Sequence, residues 1–127
     1  MMLDVSTATG LGESTHIAAT LHLPDDMPQG SLPLIFALHG GGYSRIYWHP
    51  TFVDESYSFA RWFTDHGKAV LCIDMLGMGE SSRPEPENRL STLIIAAAHA
   101  DALAQVVKKL DRPVNITAIG HSMGGMM

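Results

Sequence analysis

Cysteine is all but missing from this chain of 127 residues: Cys72 stands alone. That excludes an internal disulfide and fits a reducing compartment. Because Cys72 lies in an apolar run, it reads as a buried, inert thiol. Basic charge is also scarce, with 8 Lys and Arg against 13 Asp and Glu. The only adjacent basic pair that breaks their scatter is Lys108-Lys109, so there is no nucleic-acid footprint and no polybasic membrane patch. Long hydrophobic runs are absent too. Stretches such as Leu93 to Ala98 fall far short of a membrane span, and Met1-Met2-Leu3-Asp4 has neither a basic nor a long apolar leader region. The chain is expected to be soluble, unexported and cytoplasmic. The seven histidines show no ligand spacing with cysteine or carboxylates, so no metal and no cofactor is implied.

With 46% apolar residues over this length, one globular core is feasible and two domains are not. Leu3 to Thr9 and His16 to Leu23 are β-leaning runs that suggest a two-stranded antiparallel start. Pro24 to Pro33 is a turn-rich connection. Leu34 to Leu38 and Ala69 to Ile73 are continuously apolar, the pattern of strands covered on both faces. Phe59, Trp62 and Phe63 share a helical face between Ser56 and His66, and Gly67 follows where a left-handed cap belongs. A longer helical periodicity runs from Leu90 to Leu110, with Asn88 or Ser91 as its cap. Val114 to Ile119 reads as a further buried strand after Pro113. Strand, helix, strand, helix, strand predicts right-handed crossovers and a mainly parallel α/β sheet, with ligands bound at the carboxyl ends of its strands.

Three glycine clusters fall at those ends. Gly120-His121-Ser122-Met123-Gly124 has the G-x-S-x-G form, His39-Gly40-Gly41-Gly42 follows the Leu34 strand, and Asp74-x-x-Gly77-x-Gly79-x-Ser81 follows the Ala69 strand. The first alone arises by chance in about one chain in a few tens at ordinary glycine usage, so the strand before each cluster is what discriminates. A serine on a sharp strand-to-helix turn is strained, and the residues two before and two after it must be small. Gly77-Met78-Gly79 lacks the third glycine of a dinucleotide fingerprint, and Gly120 to Gly125 lacks the lysine of a phosphate-binding loop.

From about His16 to Met127 these motifs resemble the α/β-hydrolase superfamily on its serine-nucleophile side. The resemblance implies a partial α/β-hydrolase fold, a single incomplete domain over residues 1–127 that stops just after the nucleophile elbow. It implies Ser122 as nucleophile and an oxyanion hole made by the Met123 and Gly41 amides. The substrate class it implies is a carboxylic ester or similar small acyl compound.

Gly42, Tyr43 and His121 are further pocket candidates, with Ser44, Arg45, Tyr47 and Trp48 either lining an acyl pocket or covering a core. His121 adjoins Ser122 but points elsewhere, and is expected to be structural rather than the base. His39 is expected to hold its own loop. Asp74 corresponds to the family's loop-ordering aspartate, since the triad acid and histidine follow the serine in its Ser…Asp/Glu…His order. Neither follows Ser122 here, so a truncated and nearly inactive product is expected, one that exposes the edge of an otherwise internal strand and self-associates through it. The alternative is a non-catalytic interaction module that keeps the front half of the fold.

Overall fold

In the computed structural model, which describes residues 1–127, five strands form one sheet. They are β1 (Met2–Asp4), β2 (His16–His22), β3 (Leu32–Leu38), β4 (Ala69–Ile73) and β5 (Val114–Gly120), in the spatial order β1-β2-β4-β3-β5. The centre of the sheet is parallel, with β3 between β4 and β5, while β2 pairs antiparallel with β4 and β1 antiparallel with β2. The three α-helical segments are α1 (Ser6–Thr9), α2 (Phe59–Thr64) and α3 (Thr92–Leu110).

Period-two alternation divides the core between the two faces of the sheet. Leu34, Phe36 and Leu38 of β3, with Leu71 and Ile73 of β4, pack against Ala98, Ala102 and Val106 of α3. Ile35, Ala37, Val70 and Cys72 face the other way, onto Trp48, Ala60, Phe59 and Phe63. The connection from β3 to β4 runs one way along the sheet and that from β4 to β5 runs back past β3, so right-handed crossovers demand helices on opposite faces. That is the observed arrangement. It makes β3 and β5 the adjacent strands whose following loops diverge, and the crevice between such loops is where open α/β sheets bind ligands.

Ser91 is the N-cap of α3, accepting from the Ile94 N–H at 3.3 Å, and Asn88 plays no such part. Ser58 caps α2 through the Arg61 N–H at 3.0 Å, and Gly67 takes the left-handed conformation expected after that helix.

Three expectations need correction. The run from Leu3 to Thr9 is a strand only as far as Asp4, because the Asp4 carboxylate accepts from both the N–H and the hydroxyl of Ser6, and the Thr9 hydroxyl donates to the Ser6 carbonyl. Such local bonds favour a turn over a ladder. Trp62 leaves the buried face of α2 and stacks on His66 at 4.1 Å, 55% exposed. Thirdly, β5 is not the buried strand that its apolar run suggests, although its free edge is the one expected. It pairs with β3 alone, and every residue after Val114 is exposed.

Candidate active site

The β3–β5 register positions the site. Leu38 is level with Gly120, the last pair of the ladder, and the His121 N–H donates to the Leu38 carbonyl at 3.0 Å. The triple-glycine loop and the serine turn therefore leave neighbouring strands at the same height. Ser122 has φ of +51°, left-handed backbone that a non-glycine residue adopts only when its surroundings enforce it.

Enforcement comes from two glycines. A Cβ on Gly124 would stand 2.6 Å from the His39 carbonyl oxygen, and one on Gly120 would collide with the carbonyl group of Gly124. With hydrogens there instead, the chain folds back on itself and leaves Ser122 exposed to solvent. The turn continues as a 3-10 helix, Ser122–Met126, with the Met123 amide in its first turn. Gly41 lies across from it: a Cβ on Gly41 would touch the Met123 side chain at 3.6 Å.

His39 is fully buried and ties two loops together. Its Nδ1–H donates to the Gly40 carbonyl at 2.8 Å, so its Nε2 is the acceptor for the Met75 N–H at 3.2 Å. Asp74 is equally buried and ion-paired to Arg45. Its carboxylate also accepts from the Arg45 N–H at 2.5 Å and the Glu80 N–H at 2.9 Å. One carboxylate at the end of β4 thus fixes both the loop after the triple glycine and the Gly77–Ser82 loop.

None of the seven histidines hydrogen-bonds to the Ser122 hydroxyl. His121 is stacked on Tyr47, ring centres 5.0 Å apart, and lies edge-on to Tyr43. His16, His49 and His66 are bonded to Ser82, Ser58 and the Trp62 carbonyl, and His22 packs against His49. Burial, with His49 next to it, lowers the pKa of His22. His99 lies beneath the turn, 3% exposed, with neither ring nitrogen partnered. Burial, aided by His39, holds its pKa at about 4, so the ring is neutral.

Beside the turn an apolar basin of about 620 Å³ opens, which Gly42, Tyr43, Ser44 and Tyr47 help to line. Arg45 and Trp48 do not line it: Arg45 turns to Asp74 and Glu80, and Trp48 packs into the core on Phe59. Ile46, Pro50, Phe52, Val53 and Tyr57 complete its wall. They went unrecognised in the sequence because they sit in a loop with no periodicity. Their only signal was the density of large apolar residues between Tyr43 and Tyr57.

A doubly wound α/β sheet with a strained, exposed serine between two sterically required glycines, at the point where the chain direction diverges, defines the class of elbow-bearing α/β proteins. The chain belongs to the alpha/beta hydrolase fold family, whose family model matches residues 33–127.

Solved structures agree on the fold. A probable hydrolytic enzyme from Pseudomonas aeruginosa PAO1 superposes with TM-score 0.70 at 24% identity, over 99% of this chain and 34% of its own. Est1E from Butyrivibrio proteoclasticus, solved with ferulic acid bound, gives 0.65 at 25% identity, over 99% of this chain and 44% of its own. A thermophilic esterase from Thermogutta terrifontis gives 0.61 at 23%, over 98% of this chain and 38% of its own. The chain thus spans between a third and a half of the length of these structures. No curated protein sequence matches it. No helix is long and apolar enough to cross a membrane.

Proposed function

We propose that this chain is the nucleophile-bearing part of a serine hydrolase acting on a carboxylic ester or related acyl compound. The Ser122 oxygen attacks the carbonyl carbon, its proton passes to a base, and the carbonyl oxygen becomes an oxyanion held by the Gly41 and Met123 amides. Expulsion of the leaving alcohol, protonated by the same base, leaves an acyl-enzyme on Ser122 that water hydrolyses. Two amides fixed in advance lower such a barrier by roughly 3 kcal/mol each.

The observation that carries the reading is the left-handed, solvent-exposed Ser122 packed by its flanking glycines against the strand that leads into the Gly40–Gly42 loop. Because every histidine is engaged elsewhere or buried away from the hydroxyl, the base in this proposal comes from outside these 127 residues. The chain alone then works through its oxyanion hole, with a turnover about a millionfold below that of a complete triad.

The test is site-resolved labelling with a fluorophosphonate. Ser122 should be modified about a hundredfold faster than the other serines of the chain, which serve as internal controls. The Ser122→Ala variant should lose that label. Labelling spread evenly over the serines would remove Ser122 from the role.

A second reading, a strand-accepting interaction module, draws on the free edge of β5. The Pro113 carbonyl and the His121 N–H both point at β3, so odd-numbered residues of this unbroken strand pair inward. Val114, Ile116, Ala118 and Gly120 turn their backbone groups outward, unpaired. Ala118→Pro removes an outward N–H without touching the β3 ladder. It should abolish self-association measured by light scattering, and unchanged association would dismiss this reading.

A further inference from the structure

The basin beside the serine turn is larger and more apolar than a serine hydrolase needs for the reacting carbonyl alone. Its volume, about 620 Å³, falls within the range of small-molecule sites, roughly 300 to 1,000 Å³. No charged side chain lines it. Phe52 and Tyr57 are 79% and 75% exposed, with Tyr43, Ile46, Tyr47 and Val53 also open to solvent. So many large apolar groups gathered on one wall mark a binding surface rather than ordinary surface scatter.

The basin is built on a firm base. Tyr47 meets Trp48 edge-on at 4.9 Å, Trp48 meets Phe59 at 4.9 Å, and Phe59 meets Phe63 at 4.5 Å, an aromatic chain that runs from the basin into the core under α2. Asp74 fixes the same loop from the other side through the Arg45 amide and guanidinium. The basin adjoins the serine turn through His121, which does not line it. Tyr47 and Tyr43, two of its walls, each meet the His121 ring, at 5.0 and 6.0 Å, one residue from Ser122.

We propose that this basin seats an uncharged apolar arm, aryl or alkyl, of the substrate whose carbonyl Ser122 attacks. The proposal rests on the reading of Ser122 as nucleophile for the chemistry, and on the basin alone for the binding. Charged or strongly hydrated arms are disfavoured because nothing in the wall compensates their desolvation. Aryl arms gain from edge and face contacts with the tyrosine and phenylalanine rings.

Trp48 reports binding without any reaction, because it touches Tyr47 from behind. In a Trp62→Phe background it is the sole tryptophan. Titration with methyl 3-phenylpropanoate and with methyl hexanoate should give a saturable fluorescence change. Methyl 2-(2-methoxyethoxy)acetate, similar in length but polar, should bind at least tenfold more weakly. Phe52→Ser and Tyr57→Ser truncate exposed side chains that the fold does not need, and each should weaken the apolar esters by about tenfold. Ser122→Ala should leave the titrations unchanged. Equal affinity for all three esters, or no response to any, overturns the proposal.

Fluorophosphonates with phenylpropyl, hexyl and triethylene glycol tails separate the two readings. Faster labelling of Ser122 by the first two supports the basin, and equal rates for all three overturn it. A Trp48 response to the apolar esters without labelling by any tail supports the basin and removes the nucleophile.

Discussion

Adding one methyl group to Gly124 should disarm Ser122. In Gly124→Ala the new Cβ would lie 2.6 Å from the His39 carbonyl oxygen, against 3.4 Å for ordinary contact. The obstacle is backbone at the end of β3 and cannot rotate away, so the serine turn must retreat by about 1 Å. Overpacking of this kind costs about 1–3 kcal/mol. A misplacement of about 1 Å at reacting groups can cost about a hundredfold in rate. Gly120→Ala collides with the Gly124 carbonyl group and should behave alike. Gly125→Ala is the control, because its Cβ would meet the Gly120 carbonyl oxygen at 3.4 Å, with nothing to displace.

Urea unfolding followed by tryptophan fluorescence gives the stability, and the relative rate of fluorophosphonate labelling at Ser122 gives the alignment. Gly120→Ala and Gly124→Ala should lose both, while Gly125→Ala stays within about 0.5 kcal/mol and keeps its labelling. If all three behaved alike, the steric account of the turn would be wrong.

Three further outcomes follow from buried groups. Asp74→Ala removes the buried partner of Arg45, leaving its guanidinium to the exposed Glu80 and to Thr20, and unpins two loops, so it should cost about 3–5 kcal/mol in urea unfolding; a loss under 1 kcal/mol would refute that role. His99 has its pKa lowered from 6.5 to about 4 on folding. Its contribution to stability is therefore complete above pH 6.5 and is lost as the pH falls towards 4, by about 3 kcal/mol at about 1.4 kcal/mol per unit. His99→Leu should flatten that part of the stability profile, and an unchanged slope would count against it. Cys72, fully buried with its thiol pushed up to about 12 by that burial, should ignore a thiol reagent in the native protein and react once urea unfolds it.

The parts legible in the sequence were those that a local pattern encodes. Leu34–Leu38 and Ala69–Ile73 are covered on both faces and so read as unbroken apolar runs, and α3 carries its periodicity and its Ser91 cap in adjacent residues. The glycines around Ser122 announced the turn because a backbone collision admits no other residue. What stayed hidden depends on residues far apart in the chain. The antiparallel seat of β2 against β4 and the bond between Arg45 and Asp74, 29 positions apart, have no local signature. The basin wall from Ile46 to Tyr57 is likewise irregular. The apolar pattern of β5 records what a strand can bury, not whether a neighbour covers it; its free edge was expected only from the order of elements in the family it resembles.

The claim on which the rest depends is that the Ser122 oxygen and the Gly41 and Met123 amides converge on one small volume. A crystal structure of the phosphonylated chain measures this directly. The account predicts a phosphoryl oxygen about 2.7–3.1 Å from both amide nitrogens, with Ser122 still left-handed. An oxygen turned to solvent and bonded to neither amide would contradict it.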